Sequence, residues 1–123
     1  MKWFVALIAA AGVLGATQAL AAKAHIAEFT DVGVTATNIR AQIAAMPPAV
    51  EQPIVDFTSG HAESAAFTTG TTYIRVNCDT RCAVKIGPAG STTATTVNTP
   101  LGPDAPEYFG VKAGQIISIV ANP

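Results

Sequence analysis

Residues 71–86, TTYIRVNCDTRCAVKI, contain the strongest strand signals of this chain and decide its predicted fold class. Residues 73–78 alternate between Ile, Val and Cys on one face and Tyr, Arg and Asn on the other, which is typical of a half-buried strand. Residues 79–81 favour a turn, and residues 82–86 repeat the alternation. The sequence therefore predicts an antiparallel hairpin with its aliphatic side chains on the core face.

The two cysteines, Cys78 and Cys82, fall on the same face of this predicted hairpin. A cross-strand disulfide is expected if their Cα atoms meet at about 4.5–5.5 Å. Its short loop would stabilise the fold by on the order of 2 kcal/mol. We expect the disulfide in an exported protein and two buried thiols in a cytosolic one.

Weaker strand signals recur along the second half of the chain, separated by turns rich in Gly, Pro and Thr. Besides the hairpin, the predicted strands are 54–58, 65–68, 95–97, 107–111 and 116–120. Residues 53–123 are therefore predicted to form an all-β domain, either a small antiparallel sandwich or a jelly-roll-like barrel.

Residues 23–52 are predicted to form an extended N-terminal arm with a short helix. Lys23–Phe29 gives a weak strand signal, and residues 31–38 indicate a loop. In residues 39–46 the apolar positions share one helical face, with a suitable N-cap before them and two prolines after them. Because its short apolar stretches bury little on their own, we expect this arm to embrace a neighbouring subunit.

The first 22 residues contain the parts of a secretory signal peptide. Lys2 provides the positive start, residues 3–15 are apolar, and Ala19-Leu20-Ala21 suits the cleavage site. The alternative is a retained membrane helix, because residues 3–22 are just long enough to cross a bilayer. Either reading predicts an N-terminal hydrophobic helix, and contact with a membrane is expected only if this leader is retained.

The charge of the chain argues against two classes of partner. The 123 residues have a formal net charge of −1, and no cluster of Lys and Arg is present. We therefore expect no binding to nucleic acid or to anionic membrane surfaces. Only 12% of the residues are charged, which suits strands rich in hydroxyl groups that pack against copies of the same chain.

The sequence gives only weak signals for a catalytic or metal-binding site. Asp56, Ser59 and His61 supply the residue types of a hydrolytic triad, but closeness in sequence is not triad geometry, and no nucleophile elbow surrounds Ser59. A zinc site would need more ligands than the two cysteines and His61. We therefore expect no enzyme activity, no catalytic residue, no metal, no cofactor and no small-molecule substrate.

Contacts with other proteins are expected at uncovered strand edges and at the Thr-rich residues 91–99. An uncovered edge exposes backbone groups that can pair with another chain. The candidate interface residues are Phe29, Thr95, Val97 and Tyr108.

Several short stretches, in order and spacing, resemble small virion-associated proteins encoded among the head genes of tailed bacteriophages. These stretches are 26–29, 46–52, 64–67, 73–77, 82–87 and 107–111. The resemblance implies a compact β domain that decorates or cements the capsid as a homo-oligomer, with a trimer favoured and the major capsid protein as partner. Such proteins usually begin near Lys23, so the hydrophobic leader departs from their pattern.

Two functions follow as expectations. The first is a non-enzymatic structural protein of a phage virion. The alternative is an exported or envelope-associated binding module, periplasmic or secreted, with a signal peptide and one disulfide.

Overall fold

Eleven β-strands make up the regular structure of residues 21–123. A computed structural model describes residues 21–123, so the hydrophobic helix predicted for residues 1–22 lies almost entirely outside the described residues. The strands are β1 (Lys23–Phe29), β2 (Val32–Val34), β3 (Arg40–Ala44), β4 (Val50–Glu51), β5 (Val55–Asp56), β6 (Ala62–Glu63), β7 (Tyr73–Cys78), β8 (Cys82–Pro88), β9 (Thr99–Leu101), β10 (Glu107–Gly110) and β11 (Gln115–Ala121). From residue 21 onward, no helix is long and apolar enough to cross a membrane.

The strands form two main sheets and one separate hairpin, and all pairings are antiparallel. The first sheet has the order β10-β7-β1-β4, and β5 also pairs with β1. The second sheet has the order β6-β11-β8-β9, and β2 pairs with β3 in the hairpin. Neither main sheet of residues 21–123 closes into a barrel, so the predicted all-β class is confirmed and the barrel is not formed.

One hydrophobic core joins the two main sheets. The first sheet contributes residues of β1 and β7, among them Ile26 and Val76, and the second contributes residues of β8 and β11, among them Val84 and Ile119. Phe57 and Phe67 come from the connecting segments and complete this core. Each such aliphatic or aromatic side chain stabilises the fold by about 1.5–3 kcal/mol when it is fully buried. The arrangement resembles a sandwich because the inner faces of both sheets are covered by each other.

The predicted hairpin of residues 71–86 is wrong, because its two strands belong to different sheets. Strand β7 pairs with β1 and β10, whereas β8 pairs with β11 and β9. The chain passes from one sheet to the other between Cys78 and Cys82, which are joined by a disulfide with a Cα–Cα distance of 6.4 Å. Alternating apolar residues fit two facing sheets as well as they fit a hairpin, so the pattern alone did not distinguish them.

The crossing is held on both sides by backbone contacts. Lys23 N donates to Asp79 Oδ1 at 2.8 Å, and Asp79 N donates to Lys23 O at 3.0 Å. On the second sheet, Asn122 N donates to Arg81 O at 3.1 Å. The disulfide lies between these contacts with both cysteines fully buried, so it ties the two sheets together at one end of the molecule.

The predicted N-terminal arm is also corrected. Strand β1 lies inside the first sheet, between β7 on one side and β4 and β5 on the other. The helix predicted for residues 39–46 is replaced by β3, and the predicted loop 31–38 contains β2. A short helix needs a surface to pack on, and this segment has none, since Ile39 and Ile43 are more than half exposed. A hairpin instead satisfies its own backbone hydrogen bonds.

The Thr-rich segment forms no strand at residues 95–97. It covers the outer face of the second sheet, where Thr92 and Ala94 are buried and Ala94 N donates to Ser118 Oγ at 2.9 Å. Gly87 permits this close approach, because a Cβ atom there would lie 2.5 Å from Thr92 Oγ1. The strand predicted at residues 65–68 is likewise absent, and β6 lies a few residues earlier.

A buried carboxylate, Glu28, holds the other end of the molecule together. Its side chain is 1% exposed. It accepts hydrogen bonds from Gln52 Nε2 at 3.0 Å, from Thr68 N at 2.8 Å and from Thr71 Oγ1 at 2.7 Å. Gln52 also bonds both backbone groups of Ala65. These contacts fasten the 62–71 segment to the first sheet, because a buried carboxylate needs donors on most of its lone pairs.

Burial and hydrogen bonding act on Glu28 in opposite directions. Burial raises the pKa of Glu28, but the hydrogen bonds from Thr68, Thr71 and Gln52 together outweigh it, and the net pKa lies below 4.5. The ionised Glu28 therefore stabilises the fold fully at any pH above the pKa that this carboxyl group has in the unfolded chain. The stabilisation is lost as the pH falls through the lower pKa of the folded protein.

Glu28→Gln should lower the free energy of unfolding at pH 7 by about 1.5–3 kcal/mol, because an amide accepts fewer hydrogen bonds and turns a donor toward donors. Urea unfolding between pH 3 and pH 7 measures this, and the difference from wild type should shrink below about pH 4.5. Glu51→Gln, on exposed β4, is the matched control. Equal stability of wild type and Glu28→Gln at every pH would contradict the role of Glu28.

Replacing Cys78 and Cys82 together by Ala should lower the stability by about 2 kcal/mol or more, because a short cross-link restricts the unfolded chain and the smaller side chains leave space in the core. Chemical denaturation of the double variant, compared with the wild type under oxidising and reducing conditions, measures the loss. If reduction left the wild-type midpoint unchanged, the disulfide would not tie the sheets.

Candidate functional site

The residues of the sequence-derived triad do not assemble a catalytic site. Asp56 Oδ1 accepts hydrogen bonds from Thr58 Oγ1 at 2.6 Å and from Thr58 N at 3.0 Å. These two hydrogen bonds hold the pKa of Asp56 below its usual value, and the bond from the Thr58 side chain has the larger effect. Ser59 and His61 are exposed in the following turn. Asp56 therefore orders a turn at the end of β5 and does not orient a histidine.

The predicted interface residues fall on two separate surfaces. Phe29 and Tyr108 lie on the outer face of the first sheet with ring centroids 6.3 Å apart. Thr95 and Val97 belong to the loop that covers the second sheet. Phe29 is 1% exposed, whereas Tyr108 is 52% exposed and Val97 is 89% exposed, and the role of all four residues in an interface stays a prediction.

The outer faces of the two main sheets differ. The Thr-rich loop covers that of the second sheet, through the contacts of Thr92 and Ala94. The first sheet has its own side chains on its outer face, and a cavity opens among them. Its lining residues are His25, Ile26, Ala27, Glu51, Gln52, Ile54, Arg75, Asn77 and Pro106. The first sheet therefore carries the candidate functional site.

Strand register explains the shape of this cavity. Glu51, Ala27, Arg75 and Tyr108 lie side by side on four neighbouring strands, β4, β1, β7 and β10. Ala27 is a small residue between the longer side chains of Glu51 and Arg75, and it is buried at the floor of the cavity. Neighbouring strands are about 4.8 Å apart, so the Cα atoms of Glu51 and Arg75 lie roughly 10 Å from each other. The volume of the cavity is about 490 Å³, within the usual range for small-molecule sites.

Arg75 is held by aromatic rings beside the cavity. Its guanidinium carbon lies 5.9 Å from the centroid of the Phe29 ring. Phe29 in turn stacks on Tyr73, with ring centroids 5.0 Å apart, and Tyr108 closes the cluster. Among residues 21–123, no carboxylate lies within ion-pairing distance of Arg75. The guanidinium therefore lies over the Phe29 ring, while its N–H donors stay available to a ligand.

Asn77 adds an unsatisfied amide to the same wall. It lies opposite His25 across the β1–β7 pair, one row along from Arg75. Its Oδ1 atom is buried and accepts no hydrogen bond from the described residues. Leaving a buried acceptor unpaired costs about 1–3 kcal/mol, so this atom needs a donor that the protein does not supply.

The site brings several kinds of polar side chain together. It combines a cation, a carboxylate, an amide and an imidazole around an apolar floor, and its lining residues include no serine, threonine or cysteine nucleophile. No group of three or more His, Cys, Asp or Glu side chains suited to a metal ion occurs within the described residues. The arrangement can hold a polar ligand by charge and hydrogen bonds.

Sequence reasoning found part of this site. The outward position of Tyr73, Arg75 and Asn77 follows from the alternation of β7, and the structure confirms it. Glu51 and Ala27 were missed, because both fall in the segment predicted as an arm. The contacts of Glu51 depend on the pairing of β4 with β1, and no local signal reports such pairing.

No protein-family model, curated protein or solved structure matches this chain. The resemblance to phage head proteins therefore stays a prediction.

Proposed function

We propose that this chain is a non-enzymatic, exported binding module whose binding surface is the outer face of the first sheet. The observation that carries the proposal is the cavity above Ala27. It places the unpaired cation of Arg75 and the unsatisfied amide of Asn77 together on the outer face of the first sheet.

Export is supported by the cysteines and by the leader. The Cys78–Cys82 disulfide is fully buried between the sheets, and structural disulfides persist in oxidising compartments. Residues 1–22 have the composition of a signal peptide. A periplasmic or secreted location agrees with both features.

The proposal can be tested by sedimentation of the labelled protein with the envelope fraction of its source cells. We expect the wild type to sediment with this fraction. Glu51→Lys should reduce the bound amount at least tenfold, because it reverses the charge at the rim of the cavity. Glu63→Lys, an equal charge change on exposed β6 of the second sheet, is the control and should bind like the wild type.

Two results would contradict this proposal. One is equal binding by Glu51→Lys and the wild type, with both variants folded by circular dichroism. The other is recovery of the protein only from the cytoplasm or from virions, without binding to the envelope fraction.

A second function, a capsid-decorating homo-oligomer, is supported by the β2–β3 hairpin. Val34, Ile39, Ile43 and Met46, in or beside this hairpin, are 58–64% exposed. A two-stranded hairpin alone is marginally stable in water, and exposed aliphatic groups favour burial in an interface. We propose a second copy of the chain as the partner, with a trimer favoured.

The charge of the hairpin supports self-association over a charged partner. Arg40 is the single charged residue of segment 32–46, and it pairs with Asp31 beside the same hairpin. The remaining surface is neutral, so it offers no complementary charge to an acidic or basic protein. An equally neutral copy of the hairpin fits it better.

Analytical ultracentrifugation tests this second function. The wild type should sediment as an oligomer, and replacing Val34, Ile39 and Ile43 together by Thr should yield monomers, because the apolar area of the interface is lost. Ile54→Thr, which replaces an exposed aliphatic residue between β4 and β5 outside the hairpin, is the control. A monomeric wild type, or an oligomer unaffected by the triple replacement, would contradict self-association. Electron microscopy of capsids with and without the protein tests decoration, and an unchanged capsid surface would contradict it.

A further inference from the structure

The cavity on the first sheet must recognise its ligand with side chains. Strand β1 pairs with β7 on one side and with β4 and β5 on the other, and β7 pairs with β1 and β10. The backbone groups of the floor are therefore engaged in the sheet. A peptide that binds by strand addition needs free backbone groups at a sheet edge. This face instead favours a ligand that carries many hydrogen-bonding groups of its own.

The charged side chains of Arg75 and Glu51 indicate which hydrogen-bonding groups the ligand carries. Arg75 presents a planar guanidinium with no carboxylate partner among residues 21–123, which suits a carboxylate on the ligand in bidentate geometry. Across Ala27, Glu51 is exposed and offers acceptors to ligand hydroxyl groups. The ligand therefore combines a carboxylate near Arg75 with hydroxyl donors on the side of Glu51.

The amide of Asn77 can both accept and donate a hydrogen bond. Its buried Oδ1 lacks a donor, and its Nδ2 can donate. Rotation of this amide toward the cavity would let a hydroxyl group of the ligand donate to Oδ1 and accept from Nδ2. A hydroxyl group does both at once, whereas a phosphate or a simple carboxylate only accepts.

An aromatic ring lies beside Arg75, just outside the residues that line the cavity. Tyr108 is the neighbour of Arg75 on β10 and is 52% exposed, so part of its ring stays available beside the guanidinium. Its ring lies 6.3 Å from those of Phe29 and Tyr73, which fix its position. A ring face of this kind packs against the C–H groups of a flat, partly apolar ligand.

We propose that the cavity binds an acidic saccharide, a chain of hydroxyl-bearing sugar rings with a carboxylate group. The carboxylate pairs with Arg75, ring hydroxyl groups bond Asn77 and Glu51, and one sugar face packs on Tyr108. This inference rests on the proposed binding function and names the class of ligand for that site.

Isothermal titration calorimetry with trigalacturonic acid at low ionic strength tests the proposal. Galactotriose is the uncharged counterpart, and sodium acetate supplies the carboxylate alone. We expect trigalacturonic acid to bind at least tenfold more tightly than galactotriose, and acetate to give no measurable binding. In ¹⁵N NMR spectra, the amide shifts on binding should concentrate at His25, Ala27 and Asn77.

Variants separate the role of Arg75 from the fold. Arg75→Gln should weaken binding of trigalacturonic acid at least tenfold, and Arg75→Lys should recover only part of it because an ammonium group lacks the bidentate geometry. Lys85→Gln, which removes an exposed cation from the second sheet, should bind like the wild type. Thermal unfolding shows whether each variant is folded.

Equal binding of the acidic and neutral sugars, unchanged binding by folded Arg75→Gln, or amide shifts outside the cavity would overturn the proposal. If Arg75→Gln fails to bind because it is unfolded, the proposal is decided by the affinity of Arg75→Lys and by the comparison of trigalacturonic acid with galactotriose. If the protein binds the envelope fraction in a Glu51-dependent way but does not bind trigalacturonic acid, the saccharide inference fails and the binding function stands.

Discussion

The passage of the chain from one sheet to the other between Cys78 and Cys82 is the constraint on which the rest of this structure depends. Only three residues separate the two cysteines, yet β7 and β8 pair with different strands. The disulfide fixes this end of the two sheets, and their inner faces then enclose one core. Because β7 is placed between β1 and β10, its polar residues form part of the outer face that carries the cavity.

The opposite end depends on polar contacts. Glu28 takes a core-facing position on β1, between aliphatic neighbours, and four hydrogen bonds make its burial favourable. The bonds to Thr68, Thr71 and Gln52 bring the 62–71 segment against the first sheet. Covalent and hydrogen-bonded ties thus act at different ends, and Gln52 links the second of them to the cavity, because it both bonds Glu28 and lines the cavity.

The sequence predicted the strands of this fold better than their partners. Alternation identified β7 and β8, because their Ile, Val and Cys side chains face the core. Short runs of strand-forming residues between turns identified β10 and β11. The same alternation fits a hairpin or two facing sheets, so the partners of β7 and β8 were assigned wrongly. The charged side chain of Glu28 gave no local sign of burial. Only part of the cavity could be predicted, because Ala27 and Glu51 are brought next to Arg75 by the pairing of strands that are distant in sequence.

The pairing of β7 and β8 can be measured directly from nuclear Overhauser effects between backbone protons in an isotopically labelled sample. The two-sheet arrangement predicts contacts of Val76 with Ile26 within the first sheet and of Val84 with Ile119 within the second. It also predicts no backbone contact between Val76 and Val84. Contacts between Val76 and Val84, with the Val76–Ile26 contacts missing, would show a hairpin and contradict the arrangement on which both the core and the proposed binding face depend.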